Sequence, residues 1–240
     1  MSLTLKKSKS IGLVSLFVLS LFVAMVSTTP AVGAVNDTSS GTITGTETWT
    51  GVMNLDGDLL VAGGAKLIIN AGTTINIPAN RNIQIQGSIC AGDAFCGATQ
   101  ASTGSPIRFI WSEPGAAAPN QTGRCYVTGV FNPDMACGSG IYLASTIDQS
   151  LTRMNHVTID GAYGIPVDID GQGTIKYGAM VFDGASLSVS NPSFRDVNTS
   201  NVLAFGGASP TFDGGTFEVG IDAQGYRVPQ YRHLVLVRDW

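Results

Sequence analysis

The chain has 240 residues, 30 of them glycine, and carries 13 Lys and Arg against 17 Asp and Glu. Charged residues make up 12% of it, about half the roughly 25% usual for a soluble domain, and Asp outnumbers Glu 14 to 3. So little Glu and Lys beside so much Gly, Thr, Ser, Asn and Asp excludes helical bundles, coiled coils and doubly wound α/β enzymes, and 44% hydrophobic residues exclude disorder.

Residues 1–34 read as a secretory signal peptide. Lys6, Lys7 and Lys9 form a basic start, Ile11 to Val26 is an uncharged and mainly apolar run, and Val32-Gly33-Ala34 offers a cleavage point before Val35. The run is shorter than the roughly 20 residues that span a bilayer, so membrane contact is expected only through an uncleaved leader. The rest of the chain is expected to be exported, secreted or held at the cell surface. Without the leader's three lysines, 10 basic residues face 17 acidic ones, a net charge of −7. That charge repels phosphate backbones and argues against nucleic acid as a partner.

Residues 35–87 read as the first coils of an all-β fold. Apolar-x-apolar pairs recur every eight residues: Leu59 with Val61, Leu67 with Ile69, Ile75 with Ile77, Ile83 with Ile85. Alternation of period two marks short strands with one face inward. The intervening Gly63-Gly64 and Ala71-Gly72 suit turns.

Residues 88–140 interrupt that grid and read as loop insertions around one retained strand, Ile107 to Trp111. They hold all four cysteines, Cys90, Cys96, Cys125 and Cys137. An even set in an exported chain implies disulfides. Three connectivities are open, of which Cys90 with Cys96 and Cys125 with Cys137 is the simplest. Zinc would need closer spacing and further ligands.

Residues 141–240 carry a second period. Val157-Thr-Ile-Asp-Gly-Ala162, Met180-Val-Phe-Asp-Gly-Ala185 and Leu203-Ala-Phe-Gly-Gly-Ala208 follow each other at 23 residues. Val189 to Phe212 and Phe194 to Phe217 keep the same step. Three eight-residue segments make about 24, so both periods predict a solenoid of three short strands per coil, 23–24 residues each. An antiparallel sandwich would not hold such a register. The chain ends on the apolar His233-Leu-Val-Leu-Val-Arg-Asp-Trp240 with no evident cap, which suggests truncation at the C-terminus or pairing with a partner.

Trp49 to Val61, followed by Gly64-Ala-Lys-Leu-Ile-Ile-Asn-Ala-Gly-Thr-Thr-Ile75, resembles the opening coils of right-handed parallel β-helix proteins with the pectin-lyase-like fold. The resemblance implies that fold for residues 41–87 and, by repeat character, for 155–220. Since the fold serves lyases, hydrolases, adhesins and stalks alike, it implies no one activity.

The chemical motifs are sparse. Hydrolases of this fold present clustered aspartates and a Gly-His-Gly; here there is no Asp-Asp pair, and His156 and His233 read as surface or strand-end residues. Arg227-Val-Pro-Gln-Tyr-Arg232 is similar to the Arg-x-Pro-x-x-Arg element of pectate lyases. On that resemblance Arg227 takes the base position and Arg232 a substrate-carboxylate contact, although the companion Trp-Ile-Asp-His element is missing. Asp168-Ile-Asp170-Gly makes Asp168 and Asp170 candidate calcium ligands before a glycine turn, but the ligand pattern stops there. No other cofactor is expected. The sequence therefore predicts an exported β-helix module with a structural or adhesive role, binding extracellular glycans or surface proteins. The competing class is a carbohydrate-active enzyme, chiefly a calcium-dependent polyuronate lyase.

Overall fold

The eight-residue grid is realised strand by strand. In the computed structural model, the first coil is β1 (Gly41–Ile43), β2 (Thr46–Trp49) and β3 (Val52–Asn54), and the second is β4 (Leu59–Val61), β5 (Lys66–Ile69) and β6 (Thr74–Ile77). The grid ends in β7 (Asn82–Ile85). All eight grid residues are fully buried. Leu59 and Val61 lie directly beside Ile83 and Ile85 in the parallel pair β4–β7, one turn of three segments later. The structure describes residues 40–79, 81–111, 138–169, 175–197 and 199–218, with isolated strand positions at 126–127, 130–131 and 235–236. All belong to one unit, Ala34–Trp240.

Coil three is completed by β8 (Ser88–Ala91) and β9 (Ile107–Trp111); β10 (Tyr126–Val127) and β11 (Val130–Phe131) pair with each other antiparallel; and coil four is β12 (Gly140–Leu143), β13 (Arg153–Asn155) and β14 (Val157–Asp160). Coil five is β16 (Ile175–Asp183), β17 (Ser188–Ser190) and β18 (Ser193–Arg195). Coil six is β19 (Ser200–Phe205), β20 (Thr211–Asp213) and β21 (Thr216–Phe217), followed by β22 (Val235–Leu236). Strands at the same place in successive coils pair in parallel and build three sheets, β1-β4-β7-β12-β16-β19-β22, β2-β5-β8-β13-β17-β20 and β3-β6-β9-β14-β18-β21. The protein is nearly all-β, with parallel strands stacked in a β-helix-like manner. Among the described residues the one helical element is a 3-10 turn at Ala94–Cys96, and no helix is long and apolar enough to cross a membrane.

Two expectations change in detail. Between residues 88 and 140 the ladder keeps Ser88–Ala91 as well as Ile107–Trp111. Leu67 pairs with Ile89 and Ile69 with Ala91, so the coil runs past 87 and the insertion begins at Gly92. The 23-residue step also has a mixed origin. Val189 does lie beside Phe212 and Phe194 beside Phe217. The copy at Val157, however, is in the third sheet, while those at Met180 and Leu203 are in the first, where Met180 faces Val202 rather than Leu203. The intervening residues include β15 (Ile165–Asp168), an antiparallel partner of the start of β16. Ile165 and Val167 of this arm pack with Tyr142, Val181 and Leu203 in a second apolar cluster. What the three copies share is a strand closed by a left-handed glycine, Gly161, Gly184 and Gly207, and such corners occur on more than one sheet.

The core is the column inside the sheets. Along the third sheet Ile75, Phe109, Ile159, Phe194 and Phe217 are successive neighbours, and Phe194 and Phe217 stack with ring centroids 5.1 Å apart. Alternation thus turns one side chain in two inward and leaves the other outside, where a site must be built.

Candidate functional site: a cleft at the corner of the second and third sheets

The corner between the second and third sheets is unusually tight. A single residue, His156, joins β13 to β14 with φ 49°, and one coil on Asn191, with φ 50°, turns the chain together with Pro192. Asn and His are among the few non-glycine residues that enter the left-handed region at modest cost. The two turns stack: the His156 amide donates to the Ser190 carbonyl at 2.9 Å, and the Asn191 amide donates to that of Asp213 at 2.7 Å.

The other wall comes from the insertion at 92–106. The disulfide between Cys90 and Cys96, with Cα atoms 5.7 Å apart, closes its first turn. Asn70 and Thr99 then clasp it to the preceding coil: the Thr99 amide donates to Asn70 Oδ1 and the Ala71 amide to Thr99 Oγ1, both at 2.8 Å. The Ala101 amide donates to the Gly92 carbonyl at 2.9 Å, and the Gly72 amide to that of Ser105 at 3.0 Å. Thr103 and Pro106 are thereby held beside His156. Between them and the Asn191-Pro192 turn lies an open cleft of about 360 Å³, within the usual range for small-ligand sites.

The floor of the cleft is the outer face of the third sheet. Thr158, Ser193 and Thr216 line it in register with one another, and the Thr216 hydroxyl donates to Ser193 Oγ at 3.0 Å. Arg195 also lines it, paired in register with Asp160. Burial raises the Asp160 carboxyl above its ordinary value, and Asp196 adds to this by repulsion. Arg195 and Arg108 pull the other way without reversing it. A folded-state value above the unfolded one means that ionisation is penalised in the fold. The penalty is absent below the unfolded value near 3.8, grows as pH rises through the folded value, and persists at neutrality. Asp160→Asn should therefore raise the melting temperature at pH 7 and leave it unchanged at pH 3; a lower melting temperature at pH 7 would show that its attraction to Arg195 dominates.

The residues singled out from sequence are placed unevenly. Asp168 ends β15 and is buried at 7% exposure; Asp170, Arg227 and Arg232 lie outside the described residues, as do Cys125 and Cys137. Among the described residues no group of three or more His, Cys, Asp and Glu could hold a metal. The first sheet's outer face also has polar groups, with the Tyr142 hydroxyl donating to Asp183 Oδ2 at 2.6 Å. There Asn82, Gln84 and Tyr142 are at most 1% exposed, so these three side chains do not meet solvent. His156 does end a strand, as the sequence suggested, but that position puts it in the cleft.

Comparison with protein-family models, with curated proteins and with solved structures returns no match.

Proposed function

We propose that this protein is an exported, right-handed parallel β-helix of the pectin-lyase-like type, a secreted or cell-surface structural and adhesive module that binds glycans in the cleft beside His156. The observation that carries the reading is the lining of that cleft. Four hydroxyls, from Thr103, Thr158, Ser193 and Thr216, join an imidazole and a guanidinium on a preformed surface. Such groups bind by exchanging hydrogen bonds with hydroxyls, and the proline walls at Pro106 and Pro192 suit the apolar faces of a sugar ring. Export is supported by the leader-like start and by the Cys90–Cys96 disulfide, which belongs in an oxidising compartment. The right hand is supported by the general preference of parallel crossover connections. Affinity electrophoresis of the full chain through gels holding neutral and acidic polysaccharides tests the reading. Retardation by at least one polymer, reduced in Arg195→Ala, is expected, and unretarded migration in every gel would overturn it.

A further inference from the structure

The amide of Asn155 decides what the cleft can accept. Its Nδ2 faces two backbone carbonyls, those of Gly92 at 3.3 Å and Ala101 at 3.4 Å. Turning the amide over would set its oxygen against both. Nδ2 therefore stays with the carbonyls and Oδ1 is presented to His156 Nδ1 at 2.9 Å. An amide oxygen only accepts, so Nδ1 carries the proton and a neutral ring keeps Nε2 as an acceptor. The residue that carries the ring is itself anchored. Its backbone is fixed on both sides, the amide to Ser190 and the carbonyl as acceptor from the Ile107 amide at 3.0 Å, and Asn155 is itself 7% exposed.

The cleft thus offers an acceptor at His156 and donors at Arg195. Arg195 is not the only charge beside the cleft. Asp160 lies beside it in register and Asp196 follows it in the chain. Two guanidiniums, Arg108 and Arg195, and two further carboxylates, Asp196 and Glu218, are near enough to Asp160 to act on its charge. An incoming sulfate or carboxylate meets an acceptor nitrogen and a guanidinium whose field the nearby acids reduce. Hydroxyls suit both ends, donating to Nε2 at one and accepting from Arg195 at the other.

Resting on the glycan reading above, we infer that the cleft takes an uncharged, polyhydroxylated sugar ring, and that Asn155 is the positioning residue that imposes this by holding the His156 proton on Nδ1.

Two measurements on the full chain test it. The first needs no ligand. Long-range proton–nitrogen NMR of the histidine rings at pH 8, with His156 distinguished from the chain's other histidine by a His233→Gln variant, should show Nδ1 protonated and Nε2 bare. Asn155→Leu should shift the ring towards the Nε2-protonated form. A wild-type ring protonated on Nε2 would overturn the inference whatever the ligand. The second compares binding to dextran, mannan, galactan and xylan with binding to dextran sulfate and polygalacturonate. At least one neutral polymer should bind about tenfold more tightly than either acidic one. His156→Asn, which keeps the corner conformation that Asn191 already adopts, should weaken that binding about tenfold with an unchanged melting temperature. Equal or tighter binding of the acidic polymers sinks this inference and leaves glycan binding standing. Failure of all six polymers to bind is instead the failure of the glycan reading itself.

Discussion

Alanine at Gly87 should destabilise the fold by about 3 kcal/mol or more, while alanine at Gly63, two dozen residues earlier, should leave stability unchanged or raise it by about 0.5 kcal/mol. Gly87 sits at the corner between β7 and β8, tucked against the same corner of the coil before it. A Cβ there would lie 2.3 Å from the carbonyl oxygens of both Ala62 and Ala65. Neither atom belongs to a side chain that could rotate away, and the corner is also tied by bonds from the Gly87 amide to the Val61 carbonyl at 3.1 Å and from the Ser88 amide to the Ala65 carbonyl at 2.9 Å. Relief requires the two coils to part, which strains or breaks those bonds. At Gly63 a Cβ would meet nothing within 4 Å and the backbone is not left-handed. There alanine only narrows the unfolded ensemble. Urea unfolding of the two variants beside the wild type gives the comparison directly. Equal midpoints for both would refute close stacking of the corners.

That contrast also marks where sequence reading ends. Gly63 and Gly87 are indistinguishable as letters between strands, because what separates them is the neighbouring coil. The strands themselves were legible, since inward residues such as Leu67 and Ile75 must alternate with outward ones whatever the coil does. Their eight-residue spacing placed the strands through β7, and set beside the 23-residue step it implied three per coil. The closeness of Cys90 and Cys96 was legible too, as a short loop brings its ends together. The alignment of later copies was not. A motif of apolar, x, Ile or Phe, Asp or Gly, then Gly-Ala describes a strand and its corner, and nothing in it names the sheet, so the arm at Ile165–Asp168 could displace the count unseen. The cleft was hidden for a related reason. Its parts come from the 92–106 loop and from three successive turns, and long-range bonds such as the clasp between Asn70 and Thr99 and those of Asn155 bring that loop to His156. Such pairings have no period in the sequence.

Truncation of the inner column should show a gradient along its length. Phe109→Ala should cost about 3–5 kcal/mol, the usual price of removing a large buried aromatic. Its ring is fully buried between Ile75 and Ile159 on either side in the third sheet, and those neighbours are held by their own strands and can collapse only partly into the space. Phe217→Ala should cost less than about 2 kcal/mol, because that ring is 45% exposed in the sixth coil and has lost much less water to begin with. In a stack whose coils touch mainly their neighbours, stability is close to a sum of coil and interface contributions. A break at Phe109 falls between the second, third and fourth coils, so it should also broaden the unfolding transition as the two halves begin to melt apart. A break at Phe217 should shift the midpoint slightly and keep the transition sharp. Differential scanning calorimetry distinguishes these shapes. A sharp, equally shifted transition in both variants would mean that the molecule unfolds as one cooperative block, with the coils coupled more strongly than nearest-neighbour packing allows.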